Sequence, residues 1–210
     1  MDHRTQHSDD KILDAAQTAL LDLGVRNTTL AEVARRAGAS RMTLYRRYPD
    51  IDALLTEVLG RQLVRVVRRN AGVSDSPVPQ GGRTARELLV SGTVEVVRAF
   101  HTDLLMHKML DTDAEFLLPY LTREFGGLQN YMLDLLSVRL DQGHEDGSIR
   151  PGSVALQARA VLLTAQSFVV SVKAAGVVFG DRLLDELRLL LDAYLRPDAL
   201  GGNGLNGPES

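Results

Sequence analysis

The sequence predicts an all-α protein: a three-helix head carrying a helix-turn-helix, then a helical-bundle body, about nine helices in all. Three observations carry this reading. Apolar residues recur at helical spacing along most of the 210 residues, and no alternating strand pattern or internal repeat stands out. Between Thr28 and Leu55 the chain reads as a short capped helix, a glycine turn and a second short helix. Charge is also split. Residues 1–71 hold twelve Lys/Arg against nine Asp/Glu, whereas residues 72–210 hold twelve against eighteen, within an overall charge of −3. A basic end meets a polyanion while an acidic body is repelled from it, which fixes orientation.

Composition narrows the classes. Hydrophobic residues make up 44 % of the chain, ample for a buried core. There is no cysteine, which excludes disulfides, thiolate catalysis and Cys-ligated metal. No run of eighteen apolar residues occurs and the N-terminus, MDHRTQHSDDK, is polar. Neither a membrane span nor a signal peptide is expected, and a cytoplasmic protein suits the pattern.

Residues 1–8 are expected to be disordered. A first helix, capped by Ser8 or Asp9, buries Ile12, Ala15, Ala16, Ala19, Leu20 and Leu23 and ends at Gly24. Thr29 and Glu32 match the T-x-x-E capping box, in which hydroxyl and carboxylate satisfy each other's free backbone N–H groups. The second helix buries Leu30, Val33, Ala34 and Ala37, and Gly38 supplies the positive φ that ends it. Ser40 caps the third helix and Leu44 anchors it. Pro49 stops that helix and Asp50 caps a fourth, which runs to about Asn70. A helix of roughly twenty residues spans about 30 Å, enough to join head to body.

Residues 71–82 (AGVSDSPVPQGG) are the clearest break, so the head is placed at 9–70 and the body at 83–196. Helical spacing resumes from Thr84 with Leu88, Leu89, Val96, Val97 and Phe100, then a shorter helix with Leu104, Leu105, Met109 and Leu110. Another reaches about Gln142, beginning or kinking near Pro119, and GHEDGSIRPG (143–152) is a loop. Two last helices, about 153–176 and 181–195, close the body. The first is apolar on two sides, with Leu163 and Val170 away from its main stripe, so it either packs wholly inside one monomer or meets a second copy. The tail from 197 to 210 is Gly/Asn-rich and expected to be disordered.

The third helix, within SRMTLYRRY, is unusual for a surface helix. Between Arg26 and Arg47 stand six arginines and one acid, Glu32. Arg41, Thr43 and Tyr45 are candidates for base or near-base contacts. Thr29, Ser40, Arg46 and Tyr48 are candidates for phosphates, because cations and hydroxyls hold the backbone while the start of a recognition helix meets the bases, and Arg36 is a further DNA-binding candidate. The alternative is a solvated basic face on a small helical core; the coincidence of cap, glycine and hydroxyls favours DNA.

The stretches ILDAAQTALLDLG and TTLAEVARRAGASRMTLYRRYPDIDALL, roughly residues 10 to 60, resemble the tetracycline-repressor (TetR) type of transcriptional regulators. The resemblance implies a homodimer joined through the last two helices and a palindromic double-stranded DNA operator, and it makes the fourth helix a lever. It implies no cofactor. Relatives commonly carry a basic residue just after the start of the fourth helix, where it meets a phosphate; here that position is Ile51. The resemblance also implies a small-molecule effector held by the body.

Phe100, His101, His107, Phe125, Tyr131 and Phe168, among Met and aromatic residues at helical spacing, are the candidates to line an apolar effector pocket; plain core is the alternative. No G-x-G-x-x-G, P-loop, G-x-S-x-G or H-E-x-x-H is present, so no enzyme is expected. His101 and His107 stand about 120° apart on a helix, poor geometry for a metal. The function expected is a ligand-responsive repressor. The rivals are a carrier or enzyme on the body with a vestigial head, and an activator or ligand-independent regulator.

Overall fold

A computed structural model describes residues 3–71, 82–116, 126–171 and 180–197. Among them nine helices are delimited, residues 114–116 are also helical, and most of the rest is turn, bend or loop. They are α1 (His3–Leu23), α2 (Leu30–Ala37), α3 (Arg41–Arg47), α4 (Ile51–Asn70), α5 (Ala85–Thr102), α6 (Leu104–Thr112), α7 (Gly126–Glu145), α8 (Val154–Ser171) and α9 (Gly180–Leu195). The all-α expectation holds. The 72–81 break, Pro119, Phe125 and the tail from 198 lie outside the described residues.

The chain divides into two compact units. One joins residues 1–66 to 101–123; the other joins 67–100 to 124–210. This differs from the linear division at 71–82, and α6 is the reason. In the first unit Lys108 Nζ donates to the Leu21 carbonyl at the end of α1, and Arg26 meets Glu115 at 3.1 Å. Gln62 of α4, only 5 % exposed, donates to Asp103 Oδ2 at 2.6 Å. The other oxygen of Asp103 caps α6, accepting from the N–H groups of Leu105 and Met106 at 3.1 Å each. Such long-range polar ties are invisible to a reading by composition.

Local chemistry accounts for several helix ends. Asp50 Oδ1 accepts the Ala53 N–H at 2.8 Å, as its place before α4 predicts. Gly38 adopts φ 63°, and Ala39 N–H returns to the Ala34 carbonyl at 3.0 Å. The capping box at Thr29 forms by half. Thr29 Oγ1 accepts from Glu32 N at 3.2 Å, but the Glu32 carboxylate turns to Arg35 and Arg36 instead of returning to Thr29. The reciprocal box forms at Thr84 and Glu87, with bonds of 3.3 and 2.8 Å, and starts α5. Helix α1 begins at His3 rather than at Ser8 or Asp9, since no Gly or Pro interrupts His3–His7.

The first unit's core is Ile12, Ala16 and Leu20 of α1, Val33 and Ala34 of α2, Leu44 of α3, and Leu54, Leu55, Val58 and Leu59 of α4. Ala34 is 1 % exposed where α2 runs close beneath its neighbours. In the second unit α7 continues three residues beyond the expected end at Gln142, because Ile149 folds back on Gly143 and donates its N–H to the Gly143 carbonyl at 2.9 Å. A Cβ on Gly143 would lie 2.3 Å from Ile149 Cδ1. Arg86 ties α5 to α9 through Asp192 at 2.5 Å.

Helix α8 packs on α7 and α9 with Ala158, Val161, Leu162 and Val169. Its other side exposes Leu156 (70 %), Leu163 (59 %) and Val170, seven residues apart. By length and composition α8 is apolar enough to cross a membrane, with a mean hydropathy of 1.4 over 18 residues. That apolarity is distributed over two faces, one packed and one open. On α9, Leu189 and Leu190 are exposed, at 62 % and 54 %.

Candidate nucleic-acid interface

Helix α3 is seven residues long and takes its orientation from two buried side chains. Leu44 is fully buried, and Tyr48 at the C-cap is 4 % exposed. Ser40 caps the other end: its Oγ accepts the Thr43 N–H at 3.1 Å and lies 2.8 Å from Thr43 Oγ1. With the inner face so defined, Arg41, Met42, Tyr45 and Arg46 are all exposed, Met42 at 78 % and Tyr45 at 54 %. Thr29 is exposed at the start of α2, its hydroxyl already engaged by Glu32 N.

The arginines fall into two classes. Arg35 and Arg36 both bind Glu32, and Arg36 also reaches Asp22 on α1 at 2.5 Å. Arg26 pairs with Glu115. Arg47 contacts Asp9 of α1, lies 3.7 Å from Glu57 of α4, and donates from Nε to the Tyr48 hydroxyl at 3.1 Å. These contacts raise the Arg47 pKa, chiefly through Asp9. Among the described residues Arg41 and Arg46 engage no ion pair. The six-to-one excess counted along the chain therefore reduces to two uncommitted cations, both on α3.

Two of the DNA-binding candidates, Tyr48 and Arg36, are engaged within the protein. Tyr48 points into the core, where its hydroxyl donates to Glu57 Oε2 at 2.9 Å. Burial first, and then this carboxylate, push its pKa up to about 12. Its position four residues after Leu44 signals the same face of the helix. Arg36 is a tie between α2 and α1, its guanidinium shared by Asp22 and Glu32. Glu32 in turn is held down at about 2 by the hydrogen bonds from Arg35 and Arg36. Met42 was missed, although it stands two residues from Leu44 and so on the opposite side of the helix.

The effector candidates belong to both units. Phe100, Tyr131 and Phe168 belong to the second unit and His101 and His107 to the first, while Phe125 lies outside the described residues. Phe100 is core at 4 % exposure, and Tyr131 and Phe168 are half-buried. His107 is exposed on α6 and meets Asp111 at 3.3 Å, which is a surface pair rather than a pocket wall. His101 is half-buried. The second unit carries an open groove of about 370 Å³ lined by Arg83, Glu87, Val90, Arg188, Leu189 and Asp192, none of them expected. Among the described residues no three His, Asp or Glu side chains gather as a metal ion would need.

Known proteins resemble both the sequence and the fold. The model of the bacterial regulatory proteins, tetR family, matches residues 12–58. HTH-type transcriptional regulators of Mycobacterium bovis and Mycobacterium tuberculosis are each 36 % identical over 192 residues, 88 % of this chain and 93 % of theirs. Among solved structures, the regulator FadR from Bacillus subtilis, in complex with stearoyl-CoA, is 18 % identical with a TM-score of 0.62. It covers 89 % of this chain and 99 % of its own. A TetR-family regulator from Pectobacterium atrosepticum, 14 % identical, has a TM-score of 0.71 over 91 % of this chain and 94 % of its own.

Proposed function

The chain belongs to the TetR family of bacterial transcriptional regulators, and from that premise we propose that it is a dimeric repressor, released from a palindromic operator by a small, mainly hydrophobic effector. One observation carries the DNA-binding part. On α3, Arg41, Tyr45 and Arg46 are exposed, while the neighbouring arginines are bound to acids of the protein's own. Cations left out of internal ion pairs on the outward face of a helix-turn-helix are positioned for phosphates and base edges. In this reading Arg41, Thr43 and Tyr45 lie toward the bases, and Thr29, Ser40 and Arg46 toward the backbone.

Dimerisation is supported by the open apolar face of α8, Leu156, Leu163 and Val170, with Leu189 and Leu190 of α9. A second copy would cover it, and two heads would then meet half-sites about 34–36 Å apart or multiples of that. The protein works in the cytoplasm on chromosomal DNA. The effector is held by the helical body, where Phe100, Tyr131 and Phe168 supply aromatic surface. It lowers operator affinity by binding better to the state that does not fit DNA.

The test is selection of bound sequences from random DNA, followed by gel shift of the winner at moderate salt and sedimentation of the complex. A palindrome bound by two copies is the expected result, and apolar ligands that raise the melting temperature should release it. Absence of any preferred sequence, with turnover of a bound ligand, would instead make the body a carrier or enzyme.

A further inference from the structure

We propose that Met42 is a specificity-determining residue that reads the 5-methyl group of a thymine in the major groove. The inference rests on the DNA-binding reading above and adds to it a chemical class of base contact. Met42 is 78 % exposed, more than any other large apolar side chain among the described residues. Its placement is enforced: Leu44 is fully buried, and at about 100° per residue Met42 stands roughly 200° around the helix from it. Arg46, one turn later, shares that outermost line. Ser40 fixes the start of the helix through the Thr43 N–H, so Met42 lies in the first turn, the part of a recognition helix that meets base edges.

The chemistry then selects the target. A thioether is at most a weak acceptor and donates nothing, so it has little to offer N7, O6, O4 or the exocyclic amines. The major-groove edge of an A·T pair carries one apolar feature, the thymine methyl. An unbranched, polarizable side chain adapts its shape to such a group. Arg41 and Arg46 on either side supply the cationic contacts that hold the helix against the duplex. Met42 itself contributes discrimination and little grip.

The experiment uses the full-length protein and the operator obtained by selection. Each thymine is replaced singly by deoxyuridine, which removes the methyl and leaves pairing intact, and affinity is measured by fluorescence anisotropy at fixed salt. In the wild type, one position per half-site should weaken by about threefold to fivefold, the worth of one buried methyl. Met42→Ala should bind the thymine and uracil versions of that site equally. Met42→Leu should keep the preference and Met42→Gln should lose it. Because the side chain is exposed, all three variants should melt like the wild type. The proposal is overturned by a wild type indifferent to every replacement, by an operator without thymine in the half-sites, or by Met42→Ala retaining the preference. A wild type that selects no sequence at all overturns the DNA-binding reading itself, and this inference with it.

Discussion

The hydroxyl of Tyr48 donates to Glu57 at 2.9 Å, fastening the C-terminal cap of α3 to α4. Tyr48→Phe keeps the packing and removes the bond, so unfolding free energy should fall by about 1 kcal/mol. The folded-state pKa is about 12, above the ordinary value of 10 for tyrosine. The protonated form therefore favours the fold: this stability is complete below pH 10 and is lost as pH rises from about 10 to 12. Denaturant melts across that range should show a fall in the wild type that is shallower in Tyr48→Phe.

Glu32 provides the opposite case. Its pKa is lowered from 4.5 to about 2, first by Arg35 and then by Arg36. The ionised form favours the fold, so the stability it gives is present above pH 4.5 and lost as pH falls through about 2. Glu32→Gln should flatten the acid limb between those values. A carboxyl resonance of Glu32 titrating near 4.5 in the folded protein would contradict the pairing.

Arg46→Ala should weaken DNA binding to about the same degree on every sequence and make the salt dependence shallower by about one unit. Arg41→Ala should relax preference at particular bases instead. Affinities measured at several salt concentrations, on the selected operator and on a scrambled one, separate the two.

Leu163→Glu places a charge in the middle of the open α8 stripe. The proposed dimer should dissociate, with a loss of at least about 2 kcal/mol, the scale of an interface hot spot. Sedimentation velocity reads the monomer directly, while the melting temperature of the monomer should stay near that of a surface variant. Retention of the dimer would move the interface elsewhere.

Gly92→Ala tests the packing of α5. A Cβ there would lie 2.5 Å from the Ala71 carbonyl oxygen, a backbone atom that cannot swing aside. Overpacking of this kind typically costs about 1–3 kcal/mol, and thermal melts should show it. Gly60→Ala, with open space around the new methyl, is the control and should be neutral or slightly stabilising.

The fold was legible wherever the cause is local. Gly38, Ser40 and Asp50 mark helix ends through bonds that span three to five residues, and the apolar spacing of α1 to α4 shows their buried faces. The interface was legible only by half. Arg36 finds Asp22 fourteen residues away, and Arg47 finds Asp9 at the other end of the head. Counting cations along the chain cannot distinguish those committed to tertiary ties from those left for a ligand. Tyr48 shows the limit of residue type. Tyrosine suits a phosphate or a core equally well, and its phase with Leu44 outweighs its chemistry. The effector candidates were the least legible, since Met and aromatic residues at helical spacing satisfy core and pocket alike.

The separation of α3 into committed and uncommitted residues makes the protein a scaffold for retargeting. Leu44, Arg47 and Tyr48 fasten the helix to the head, whereas Arg41, Met42, Tyr45 and Arg46 carry none of that attachment. A library varied at those four positions alone can explore new operators while the head keeps its stability. One that also varies 47 or 48 gives up the ties to Asp9 and Glu57 and loses stability with them.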